Sequence, residues 1–235
     1  TVLSRGLGDV YKRQGYDIAP AQNDKYYPGL YSTISAFLSN IMPKKYIYET
    51  FHLINNTFSI LTIFGFYKLS KLLFNKNVAF ISLTILFLNP TFFGHMSMNP
   101  KDTIIAFCLI WTTLVLFKYL TYQKNKNKRI KFLIYASLLI GLGLGVRIQF
   151  FSILVPLFLF VVIYKFLNKK FSFGIFILDS FIIITISYVV MLLSWPQVHS
   201  NIFVEPFKIF IEQLGIQFGP ERILLNNKIL STVEV

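Results

Sequence analysis

Few residues in this chain could do chemistry, and several fall in one stretch. Phe93-Gly94-His95-Met96-Ser97-Met98-Asn99-Pro100-Lys101-Asp102 is a polar loop in a chain that is otherwise largely apolar. Asp102 can bind a divalent cation or hold a cationic group. It equally suits the first turn of a helix, where a carboxylate complements the dipole. Lys101 can hold a phosphate as a point charge, or sit solvated at an interface. His95 can ligate a metal or hydrogen-bond a phosphate, and packing in the loop is its bland alternative. Asn99 as N-cap and Pro100 at the first helical position predict that a helix starts here.

Other candidates lie outside that stretch. Arg147 interrupts a long apolar run. Its guanidinium either clamps a phosphate or marks a turn and snorkels to the interface. Asp179 lies within another apolar run, as a proton or ion site of a transporter or as a hydrogen-bond partner between helices. His52, with Asn55 and Asn56, either lines the same cavity as the polar loop or bonds between helices. The sequence contains no phosphate-cradling glycine loop, nucleophile elbow or zinc motif. Cys108 is the single cysteine, which excludes an intrachain disulfide and a cysteine-based metal cluster.

The elements that must position these residues are membrane helices. Hydrophobic residues make up 54% of the 235 and charged ones only 14%, where a soluble domain is about a quarter charged. Several runs approach the ~20 apolar residues that cross a bilayer, and in lipid each span must satisfy its own backbone as a helix. The expectation is an all-α polytopic membrane protein with about six spans, at 48–67, 78–88, 103–120, 132–146, 150–164 and 173–194. An external loop and an amphipathic interfacial helix occupy 15–43, with Leu30, Ile34, Phe37, Leu38 and Ile41 at helical spacing. Residues 197–235 form a mixed external segment. Gly141, Gly143 and Gly145 read as a site of close helix packing.

The net charge of +13 points to topology and not to nucleic acid, because the basic residues do not share a solvent face. Lys68, Lys71 and Lys76 follow the first span, Lys124, Lys126, Lys128, Arg129 and Lys131 the third, and Lys165, Lys169 and Lys170 the fifth. The intervening short loops hold only Lys101 and Arg147. The positive-inside rule places the first set in the cytoplasm, so His95, Asn99, Lys101, Asp102, Arg147 and Trp195 share the external face.

Residues 1–14 differ in composition from the rest and resemble a translated adapter. They are expected to be a sequencing scar, and the chain to be a fragment at both ends.

Asn89-Pro90-Thr91-Phe92-Phe93-Gly94-His95 and Asn99-Pro100-Lys101-Asp102 resemble a loop of bacterial membrane glycosyltransferases. These form the protein-mannosyltransferase-like superfamily with the GT-C fold, related to aminoarabinose transferases. Their loop reads Pro-x-Phe-(Phe/Tyr)-Gly-His…Asn-Pro-Lys-Asp. His52-Leu53-Ile54-Asn55, Tyr27-Pro28-Gly29-Leu30, Gly143-Leu144-Gly145-Val146-Arg147 and Trp195-Pro196 also resemble the group. The resemblance implies a GT-C-like helical bundle in the bacterial inner membrane with its active face external. It implies inverting transfer of a sugar from a polyprenyl-phosphate donor to an envelope glycan, lipid or protein. Asp102 would help hold a divalent metal, Mn or Mg, while Lys101, Arg147 and His95 would bind the donor phosphate. The implied general base belongs to an Asp-Glu pair ahead of Gly15; Asp17 and Asp24 lie in the right loop without that context. The competing classes are a transporter or flippase built on Asp179 and Arg147, and a non-catalytic membrane subunit.

Overall fold

The computed structural model describes residues 28–167, 172–215, 222–225 and 228–231. Residues 1–27, with Asp17 and Asp24, lie outside them. Among the described residues the chain is a bundle of nine α-helices: α1 (Leu30–Ile41), α2 (Ile47–Leu73), α3 (Lys76–Leu88), α4 (Pro90–Met98), α5 (Pro100–Thr121), α6 (Lys126–Leu144), α7 (Phe150–Leu167), α8 (Phe173–Leu193) and α9 (Glu205–Gly215). Two short antiparallel strands, β1 (Arg222–Leu225) and β2 (Lys228–Ser231), follow them.

The stretches expected to span fall on α2, α3, α5, α6, α7 and α8. α5, α7 and α8 are each long and apolar enough to cross a membrane, and α3 with α4 qualifies as one broken span bent by 66°. α2 and α6 reach 27 and 19 residues but are more polar. α2 carries His52, Asn55, Asn56 and several hydroxyls, and the first turns of α6 carry Lys126, Lys128, Arg129 and Lys131. The charged groups of α6 lie at its start, and hydroxyls along α2 bond to carbonyls one turn earlier, as Thr57, Ser59 and Thr62 do.

The polar loop around His95 is a correction. It is helical from Pro90 to Met98, broken only at Asn99. Both Asn-Pro pairs start helices: Asn89 Oδ1 accepts from Phe92 N at 3.0 Å, and Asn99 Oδ1 from Asp102 N at 3.1 Å. Each proline has the fixed φ of a first helical turn and lacks the N–H that would continue the preceding helix. Asn-Pro therefore ends one helix and begins the next.

The packing follows small residues. A Cβ on Gly141 would stand 2.6 Å from Val190 Cβ and 2.8 Å from Ser187 O, so α6 and α8 meet at this glycine. The other two glycines of the stripe lie against the Phe150 ring and Ser194 Oγ, respectively. The core joins Ile104 and Cys108 of α5 to Ile140, Val146, Phe150 and Leu154. α1 lies across one end of the bundle: Gly29 N donates to Ser194 O at 2.7 Å and Leu30 N to Gly145 O at 3.0 Å. Its Ser35 is buried, while Phe37 and Ile41 are exposed. That inversion suits a helix lying in the interface, with its apolar side toward lipid.

Candidate functional site

The candidate site forms where α4 breaks into α5. The break itself needs support. In a continuous helix the carbonyl of Met96 would accept from residue 100, which is proline and has no N–H. The carbonyl of Ser97 would reach beyond the break. α2 satisfies both. Ser59 Oγ stands 3.2 Å from Met96 O and 2.9 Å from Asn55 O, sharing its one proton between them, and Asn55 Nδ2 donates to Ser97 O at 3.0 Å. His52 Nδ1, which must carry the proton here, lies 2.8 Å from the same Ser97 carbonyl. His52 and Asn55 thus hold the backbone of the break, and of their two sequence readings the structure places them in the interhelical one. Ser59 is a missed member of this set. Its signal was available, one turn after Asn55 on the same face of α2.

Held this way, Asn99 organises the side chains. Its Oδ1 caps α5, and its Nδ2 donates to Asp102 Oδ2 at 2.7 Å and stands 3.2 Å from His95 Nδ1. His95, one turn earlier on α4, is linked to Asp102 through Asn99. Thr103 Oγ1 returns to Asn99 O at 2.9 Å and closes the first turn of α5.

Arg147 arrives from the turn between α6 and α7. Val146 and Ile148 on either side of it are buried. Val146 packs in the core with Ile104 and Phe150, and Ile148 packs with Met191, Trp195 and Val198. Trp195, wholly buried, thereby ties the end of α8 to this turn. The backbone of Arg147 is pinned and its side chain points outward. Nη1 lies 3.3 Å from Asp102 Oδ1, with the two side chains 40% and 44% exposed. Arg147 Nε is buried and has no hydrogen-bond partner. Lys101 is half-buried beside Asp102. The structure thus brings His95, Asn99, Asp102 and Arg147 into one cluster, and the pairing of Asp102 with Arg147 crosses 45 residues that carry no local signal for it.

Among the described residues no three His, Cys, Asp or Glu gather to hold a metal ion. Among the described residues Asp102 is the one acid in the cluster, and its two oxygens face Asn99 and Arg147. The described residues do not fit a metal site by themselves.

Asp179 lies at the opposite end, bonded by Tyr119 of α5, whose Oη donates to Asp179 Oδ2 at 2.6 Å. That is the interhelical-bond reading of this residue.

The family model for dolichyl-phosphate-mannose-protein mannosyltransferase matches residues 50–195, well over half of the chain. The match takes in α2 from its first turn to the end of α8, and with it every residue of the cluster. No curated protein and no solved structure matches the chain.

Proposed function

The chain belongs to this mannosyltransferase family of membrane glycosyltransferases, and we propose that it serves inverting transfer of a sugar from a polyprenyl-phosphate carrier to an envelope acceptor. The reaction takes place at the external face of the bacterial inner membrane, where the positive-inside rule puts the Asp102 end. One observation carries the reading: within the matched region, Asp102, Arg147, Asn99 and His95 converge at the start of one apolar helix.

The geometry supports a donor-phosphate site. The Asp102–Arg147 pair is two-fifths exposed, so it is worth only about 0–1 kcal/mol. A phosphate can therefore take over the guanidinium at small cost, displacing Asp102 from Nη1. Lys101 adds a second cation beside it. Asp102, relieved of Arg147, stays fixed by Asn99 and by its place in the helix. The acceptor hydroxyl attacks the anomeric carbon opposite the phosphate, and the new C–O bond forms as the sugar–phosphate C–O bond breaks. The carrier leaves as its phosphate, whose growing charge Arg147 and Lys101 stabilise. The hydroxyl proton passes to a general base, which the resemblance places ahead of Gly15. Asp102 would supply one ligand to a divalent ion, Mn or Mg, whose other ligands the described residues do not provide; chelation in the complete protein tests it.

The deciding experiment is Asp102→Asn in the complete protein, assayed with a labelled polyprenyl-phosphate sugar. Transfer is expected to fall by about 100-fold or more, because the variant loses the carboxylate that would hold a divalent ion beside the donor phosphate. Undiminished transfer would move the function to another site or to a transporter.

A further inference from the structure

The end of the bundle remote from Asp102 holds a second polar assembly that the proposed transfer does not use. α5, α6, α7 and α8 each send one group to it: Tyr119, Arg129, Lys165 and Asp179. Lys165 Nζ donates to Tyr119 Oη at 2.5 Å, and Tyr119 Oη donates to Asp179 Oδ2 at 2.6 Å. Arg129 Nε lies 3.8 Å from Asp179 Oδ1, too far for a hydrogen bond, and both atoms are buried without a hydrogen-bond partner. A cavity of about 380 Å³ opens beside them, lined by Tyr119, Arg129 and Lys165, with the exposed Lys124 also on its wall.

The charges here do not balance. Among the described residues the cavity is lined by three cations, Lys124, Arg129 and Lys165, and by no carboxylate, and Lys165 is only 4% exposed. Asp179 reaches Lys165 only through the Tyr119 hydroxyl, and its second oxygen makes no hydrogen bond. A buried ammonium and a buried guanidinium are costly without a close, hydrogen-bonded counter-charge. An anion in the cavity would supply it, accepting from the Arg129 guanidinium and from the Lys165 ammonium, whose hydrogen bond goes to the neutral Tyr119 hydroxyl. The cavity volume lies in the range of small-ligand sites. It opens at the lysine-rich end, which the charge alternation assigns to the cytoplasm, the side where anionic headgroups are concentrated.

We infer that this cavity is a phosphate-binding site, separate from the donor site and independent of the proposed transfer reaction. Its ligand is the phosphate of an anionic phospholipid headgroup or a free phosphate anion.

The test places the full chain in nanodiscs of phosphatidylcholine with or without phosphatidylglycerol and counts retained lipids by native mass spectrometry. Retention of a phosphatidylglycerol over phosphatidylcholine is expected. Lys124→Gln, Arg129→Gln and Lys165→Met should each weaken it about tenfold, the factor carried by one charge-assisted hydrogen bond. Lys71→Gln removes a charge outside the cavity and should change nothing. In phosphatidylcholine alone, inorganic phosphate that raises the melting temperature, and does so less in Lys124→Gln, would identify free phosphate as the ligand. The wild-type comparison stands even if Lys165→Met fails to fold. Equal retention of the two lipids together with no stabilisation by inorganic phosphate would overturn the inference, as would lipid retention and phosphate response that the cavity variants leave unchanged.

Discussion

Asn99 offers the sharpest perturbation, because its two side-chain atoms do different work. Oδ1 caps α5, and Nδ2 anchors the Asp102 carboxylate. Asn99→Ala removes both. Loss of an N-cap costs about 1 kcal/mol, which for a chain of this size lowers the melting temperature by about 2–4 °C. Asn99→Asp keeps the cap, since aspartate caps as well as asparagine, but replaces the donor with a second carboxylate facing Asp102. Two such charges about 4 Å apart repel by about 1 kcal/mol in water and about 4 at an intermediate dielectric. With Asp102 44% exposed, the lower figure applies. Both variants therefore melt early, for different reasons that salt separates. At about 1 M salt the screening length is about 3 Å, so Asn99→Asp should recover most of its melting temperature and Asn99→Ala should not. Scanning fluorimetry in detergent at low and high salt reads this directly. In the complete protein, Asn99→Asp should also lose sugar transfer at low salt, because Asp102 is pushed from its place. A salt-insensitive deficit in Asn99→Asp, or a salt-rescued one in Asn99→Ala, would refute the arrangement of Asn99 and Asp102 described above.

Arg147→Lys in the complete protein should raise KM for the lipid-linked donor about tenfold with a smaller effect on kcat, since lysine keeps the charge and loses the fork; an unchanged KM would remove Arg147 from the phosphate site. Gly141→Leu should destabilise by at least about 1–3 kcal/mol, the cost of overpacking, because the Val190 Cβ and the Ser187 backbone carbonyl leave no room; thermal unfolding checks it. Trp195→Ala should cost about 3–5 kcal/mol and weaken donor binding as well, since Trp195 supports the turn that carries Arg147; donor affinity measured below the shifted melting temperature separates the two effects. His52→Ala frees one of the three groups that hold the α4–α5 break and should cost about 1 kcal/mol, the net value of one hydrogen bond, read as faster hydrogen exchange in residues 95–99.

Much of the molecule was legible from local chemistry. Apolar run length set the helical class, because a backbone in lipid has to bond to itself. The start of α5 was readable from Asn99-Pro100, and the span of α1 from its apolar spacing, because caps and helical faces are properties of a few neighbouring residues. The glycine stripe announced a close helix contact, since only small residues let helix backbones approach so closely, but that α8 is the partner at Gly141 came from the packing. The helix from Pro90 to Met98 was not legible. Nine residues make a marginal helix alone, and this one persists because α2, some 40 residues earlier, accommodates its unpaired carbonyls. The same holds for the partners of the charged groups. Their types marked Asp102, Arg147 and Asp179 as candidates, but nothing local says that Arg147 meets Asp102 or that Tyr119 meets Asp179 across 60 residues. Caps, periodicity and charge alternation act within a turn or two and are written in the sequence. Which buried donor meets which acceptor depends on how the helices pack, and only the tertiary structure decides that.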